Sequence, residues 1–92
     1  MAKLEWDEDK RLANIRKHGI DFVDVPAVFE GDVLTYEDTR FGYGERRFIT
    51  IGLLRDIVVL VAHTETDDTI RIIHARKASK ETARHYFEHF RN

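Results

Sequence analysis

The chain has 92 residues, 42% of them hydrophobic and 35% charged, with a formal net charge of −2 and no cysteine. That length suits one domain spanning 1–92, and the missing cysteines exclude a disulfide framework and a thiolate metal site. No apolar run approaches the roughly 20 residues of a membrane span, and the opening Met1-Ala2-Lys3-Leu4-Glu5-Trp6-Asp7 lacks a signal-peptide pattern, so the expected compartment is the cytoplasm. The charge is uneven. Residues 1–46 hold eleven acids against seven Lys/Arg, whereas residues 47–92 hold six acids against eight Lys/Arg and four of the five histidines. A positive surface is therefore permitted on the second half.

In chain order, Lys3 to Trp6 predicts a short opening strand. Asp7 is placed to cap a helix whose first turn holds Glu8 and Asp9, where the helix dipole favours acids. Leu12, Ala13 and Ile15 supply its apolar contacts as far as Lys17 or His18, and Gly19 stands where a left-handed C-cap belongs. A shorter helix follows, ending near Phe29; with Asp24 as its cap, Pro26 falls in the first turn, where proline is tolerated. Val33 to Tyr36 reads as a weak strand, and Glu37 to Glu45, with Gly42 and Gly44, as an exposed loop.

Three stronger strands come next. Arg46 to Leu53 turns through Leu54-Arg55-Asp56 into Ile57 to Thr64, which is apolar on both faces and so reads as a central strand. Thr66-Asp67-Asp68 turns into Thr69 to Arg76. The short connections predict antiparallel hairpins. Ser79 caps a final helix with Ala83, Tyr86, Phe87 and Phe90 available to pack on the sheet. The expected class is α+β: two N-terminal helices, an antiparallel meander of three to four strands, and a C-terminal helix.

Trp6-Asp7, Lys10, Asn14 and Lys17-His18-Gly19 make one recurrent pattern, followed by Phe22 and Val28-Phe29. Glu45, Arg47, Ile51-Gly52, His63-Thr64, Arg71 to Ala78, Glu81 and Tyr86 continue it. Together these residues resemble the BrnT toxin family, over nearly the entire chain. Two departures are His74, where a small serine is expected, and Pro26 in the second helix. The resemblance implies a RelE-like fold and an endoribonuclease that inhibits translation by cleaving mRNA. It also implies a cognate antitoxin of ribbon-helix-helix, BrnA-like type, through which alone operator DNA would be engaged.

For metal-free RNA cleavage, attack by the neighbouring 2′-hydroxyl builds charge on the phosphoryl oxygens, and a fixed guanidinium stabilises it. Arg71 and Arg76 are the catalytic candidates, with Arg47 on an adjacent strand as an RNA contact. On a regular strand Arg71 and Arg76 face opposite ways, so sharing a phosphate requires a bulge or a strand end between them. His63 is the leading acid–base candidate and His74 its possible partner, also counted among the RNA contacts. Lys17 and His18 are expected to hold backbone phosphates. The bland alternatives are arginines paired with Glu45 or Glu81, histidines filling core positions, and helix-end cations answering the dipole.

His85 and His89 have a metal-binding spacing but no third ligand, and the acids sit mainly at helix starts and turns, so no metal and no cofactor are expected. The rival readings are a non-catalytic toxin-fold module acting as co-repressor with a DNA-binding antitoxin, and a regulator that binds RNA without cutting it. Convergence of the histidines and arginines in one cleft separates them.

Overall fold

The apolar run Ile57–Glu65 lies in the middle of a five-stranded sheet in the computed structural model, which describes residues 3–40, 42 and 44–91. The strands are β1 (Lys3–Glu5), β2 (Leu34–Asp38), β3 (Arg47–Leu54), β4 (Ile57–Glu65) and β5 (Thr69–Lys77). The helices are α1 (Glu8–His18), α2 (Val25–Phe29) and α3 (Lys80–Phe90), with a single 3-10 turn at Phe22–Asp24 before α2. The strand order is β1-β5-β4-β3-β2. β2 to β5 form the antiparallel meander, and β1 adds a parallel edge on β5. The α+β class and the C-terminal helix agree with the sequence reading, but the inventory differs. The sheet has five strands in all, because the expected opening strand joins the four of the meander as a parallel edge, and the second helix is a 3-10 turn continued by five helical residues.

The caps account for the element boundaries. Asp7 accepts a hydrogen bond from the Lys10 amide, and Gly19 closes α1 at φ 72°, a conformation that L side chains rarely adopt. Asp21, not Asp24, supplies the side-chain cap at the 3-10 turn, and Pro26 falls in the first turn of α2. The expected loop begins late, because Glu37 and Asp38 extend β2. Phe41 and Tyr43 of that loop, and Met1 and Ala2 of the opening segment, lie outside the described residues.

The sheet is covered on both faces. Phe22, Val25 and Val28 pack on Val59, Val61, Ile72 and Ala75, with Trp6 edge-on to Phe22 at 6.2 Å. Gly52 of β3 lets α2 come close, since a Cβ there would stand 2.8 Å from Val28 Cγ1. On the opposite face Tyr86 and Ala83 of α3 pack against Ile49, Ile51, Val58 and Ala62. The Tyr86 hydroxyl donates to the Asp32 carbonyl at 2.7 Å. Phe87 and Phe90, expected to share that role, stay largely outside it; Phe87 is 52% exposed.

α1 docks in an unexpected way. Leu12 is 42% exposed, and the buried residue of the helix is Asn14. Its Nδ2 donates to the Ala75 carbonyl at 2.8 Å and to the Ile20 carbonyl at 2.9 Å, while its Oδ1 accepts from the Ala75 amide at 3.1 Å. β1 pairs β5 through Arg71 and no further, so beyond that point the β5 edge lacks a neighbouring strand. The Asn14 carboxamide fills that vacancy as one more peptide group would. Asn14→Ala leaves three buried backbone groups without their partner. It should lower unfolding stability by about 2–4 kcal/mol in urea titrations. Asn14→Asp, which keeps one acceptor but no donor, should be no better. A midpoint unchanged in both variants would remove Asn14 from this role.

His63 belongs to the helical face. It is fully buried, with Nε2 2.7 Å from Thr50 Oγ1, which in turn lies 2.8 Å from Thr35 Oγ1. Phe29 meets its ring edge-on at 5.3 Å, and Phe48 stacks at 6.0 Å. Burial pushes its pKa down to about 4, so the folded protein holds it neutral. The unfolded chain binds this proton near pH 6.5, and the folded chain does so only near 4. The resulting stability is therefore complete above about pH 6.5 and is lost as pH falls toward 4, by about 3 kcal/mol in all. In His63→Gln the loss of stability between pH 7 and 5 should be shallower than in the wild type; an equal slope would assign it to other groups.

Candidate functional site

A break in register between β4 and β5 organises the face shared with α3. Ala62 pairs with His74 but His63 pairs with Ile72, so Ile73 is an extra residue in β5. A bulge of this kind changes which residues share a face. It brings Arg71 onto the same face as His74 and Arg76, which a regular strand forbids. Register then arranges that face as three rows. Leu34, Ile51, Leu60 and Arg76 form one; Tyr36, Ile49, Ala62 and His74 the next; Asp38, Arg47, Thr64 and Arg71 the third.

α3 covers part of this face and leaves a cleft of about 510 Å³, lined among others by Tyr36, Arg47, Ile49, Ala62, His74 and Arg76. A second groove of about 490 Å³ runs between α1 and β5, lined by Lys10, Lys17 and His18 and again by His74 and Arg76. The two hollows meet at His74 and Arg76. Across the seam, the His18 and His74 rings are 6.5 Å apart. Helix geometry explains the α1 side: Lys10, Asn14 and Lys17 share one stripe, so docking Asn14 on β5 carries the two lysines to the groove.

His74 is the electrostatic centre. Its pKa is lowered first by burial and then by Arg76, His18, Arg47 and Lys17, so it is held neutral at ordinary pH. Its Nδ1 is buried and has no hydrogen-bond partner among the described residues. Several arginines are held by carboxylates: Arg11 by Glu8 and Asp21, Arg71 by Glu5 and, at the β2 side of the first cleft, Arg40 by Asp38 and Arg46 by Glu37. Lys10, Lys17, His18 and Arg76 make no ion pair among the described residues, and Arg47 has Glu45 at 3.9 Å. This arrangement can hold anionic groups and offers a neutral imidazole beside them.

Five of the seven expected site residues thus converge: Lys17, His18, Arg47, His74 and Arg76. Two do not. Arg71 bonds Glu5 at 3.2 Å and stands four residues of strand from the Arg76 row, about 13 Å at strand spacing. His63 projects to the other face of β4 and is sealed from solvent. His85 and His89 stay exposed on α3, and among the described residues no three His, Asp or Glu are grouped to hold a metal. Sequence reasoning missed Tyr36, Asp38 and Arg40 as lining residues, because the register that brings β2 beside this cleft is tertiary.

Among the described residues, no helix is long and apolar enough to cross a membrane. No curated protein sequence matches the chain. The model of one family, described as the ribonuclease toxin BrnT of type II toxin–antitoxin systems, matches residues 6–82. That span runs from Trp6 through the first turn of α3 and contains every strand after β1, α1, α2 and both sides of the cationic seam. The chain belongs to the BrnT family of ribonuclease toxins of type II toxin–antitoxin systems.

Proposed function

We propose that this protein is an endoribonuclease that cleaves mRNA at the seam of the two grooves, without metal, by attack of the 2′-hydroxyl on the adjacent phosphate. The observation that carries the reading is the convergence on His74 of Lys10, Lys17, His18 and Arg76, which make no ion pair among the described residues, at the point where the two grooves meet. Arg76, aided by Arg47, neutralises charge developing on the phosphoryl oxygens. His74, neutral before substrate binds, takes the 2′-hydroxyl proton onto a ring nitrogen as the O2′–P bond forms, and the P–O5′ bond breaks with the 5′-oxygen taking a proton from water. Lys17 and His18 hold the backbone on the α1 side. The two carboxylates of the lining are already engaged, Asp38 by Arg40 and Glu37 by Arg46, and Arg47, Arg76, Lys10 and Lys17 stand about them and the seam. A divalent ion would meet repulsion there. Arg71 and His63 take structural roles in this scheme, as the tie to β1 and the core of the helical face.

The family implies an antitoxin partner. We read it as a ribbon-helix-helix protein that carries operator DNA binding for the pair and shields the cleft with acidic side chains, in the cytoplasm.

Arg76→Ala should lower kcat by about two to three orders of magnitude without loss of folding, and restore growth to cells expressing the protein. Arg71→Ala should fall well short of that. Cleavage should persist in EDTA and leave 2′,3′-cyclic phosphate ends. Loss of activity on chelation with recovery in Mg²⁺ or Mn²⁺ would overturn the scheme.

The pH profile offers a separate check. Since His74 is depressed by burial and by its cations, kcat/KM should rise with pH along a limb centred below 6.5. A bound phosphate offsets those cations, so the corresponding limb of kcat should lie at higher pH. His74→Ala should abolish both limbs; limbs that survive it would assign the proton to another group.

A further inference from the structure

Phosphate contacts fix the path of a nucleic acid but leave its bases without a seat. Across the cleft from the cationic wall stands a residue that no structural role accounts for. Tyr36, on the outer strand β2, is 52% exposed, and among the described residues neither its ring nor its hydroxyl has a ring or hydrogen-bond partner. It is the far member of the His74 row. Between the two, Ile49 and Ala62 present a low apolar floor and are themselves buried. Three strand spacings, about 14 Å, separate the aromatic wall from the cationic one. The cleft thus pairs a flat π-surface with an anion-binding edge over an apolar base. Unpaired nucleotides are recognised through that combination, because every base has a π-face and every nucleotide a phosphate.

We propose that Tyr36 is a stacking platform for one unpaired nucleobase of the bound RNA, seating it over Ile49 and Ala62 while its backbone lies against His74 and Arg76. The proposal rests on the RNA reading of the cleft and adds to it a substrate requirement. The base must be splayed out, so single-stranded segments are substrates and continuous duplex is not. Tyr36 touches the substrate but holds no proton and stabilises no charge; it positions.

The test uses single-stranded RNA for cleavage and its 2′-O-methyl analogue, which lacks the nucleophile, for equilibrium binding. Tyr36→Ala should weaken binding of the analogue roughly 5- to 100-fold and raise KM in step, with kcat less affected. Tyr36→Phe, which keeps the ring, should bind as the wild type does, and Tyr36→Leu, which keeps apolar bulk without the plane, should not. One abasic site moved along the analogue should cost the wild type the same factor at one position, and cost Tyr36→Ala nothing further there. Duplex RNA of the same sequence should not compete. Equal binding by Tyr36→Ala, or an abasic penalty that persists in full in that variant, overturns the stacking role while Arg76-dependent cleavage stands. If the wild type neither binds nor cleaves RNA, the RNA reading fails and the stacking role with it.

Discussion

One carboxamide couples the fold to the site. α1 is a polar helix with little apolar surface to bury, so the usual means of docking a helix is weak here. Asn14 substitutes for it by bonding both the amide and the carbonyl of Ala75, on the stretch of β5 that β1 does not reach. A third bond to the Ile20 carbonyl ties down the chain just past the Gly19 cap. The same contact that closes the sheet edge therefore sets the height of α1 along β5. Lys10 and Lys17, one turn to either side, are placed by it. The lysines do not need contacts of their own to be in position.

The second constraint is the extra residue at Ile73. Without it, Arg71 would lie on the helical face, and the alternation of β5 would run unbroken from Thr69 to Lys77. With it, Ile72 and Ala75 both serve the helical core while His74 and Arg76 emerge toward the cleft. The bulge sits where β1 has ended and Asn14 takes over, so β5 departs from regular pairing on both sides within a few residues. Edge irregularities are well suited to re-aiming side chains, because the cost of a lost ladder bond is lowest where the ladder is already incomplete.

These two features mark the limit of what the sequence made legible. Caps were readable because their chemistry is local: Asp7, Gly19 and Ser79 bond groups within four residues. The centrality of β4 was readable from apolar residues on both its faces. His63 and His74 look alike in sequence, each a histidine on a strand directly after apolar residues. Their environments differ because β4 has a strand on either side and aromatic cover from Phe29 and Phe48, whereas β5 opens toward α1. Neither register nor cover can be read from spacing. The same holds for Tyr36, whose strand was recognisable but whose row partners were not. Leu12 and Phe87 erred the other way: their apolar character suggested packing, and the helices turned other residues to the sheet.

The cluster around His74 opposes folding. Bringing Lys10, Lys17, His18, Arg47 and Arg76 to one seam adds like-charge repulsion, and burying His74 Nδ1 without a hydrogen-bond partner among the described residues adds desolvation. A domain of this size has little stability in reserve against such terms. Among the described residues Lys10, Lys17, His18 and Arg76 make no ion pair, whereas Arg11, Arg46 and Arg71 are held by carboxylates away from the seam. Charge repulsion of this kind is relieved by an anion, whether a phosphate backbone or an acidic segment of the antitoxin. A ligand that binds the folded state and not the unfolded one stabilises the domain in proportion to its occupancy. The features that make the seam costly in the isolated protein are those that suit it to an anionic ligand. On the proposed function, a substrate phosphate and an acidic antitoxin segment would draw on the same charge and so compete for one surface.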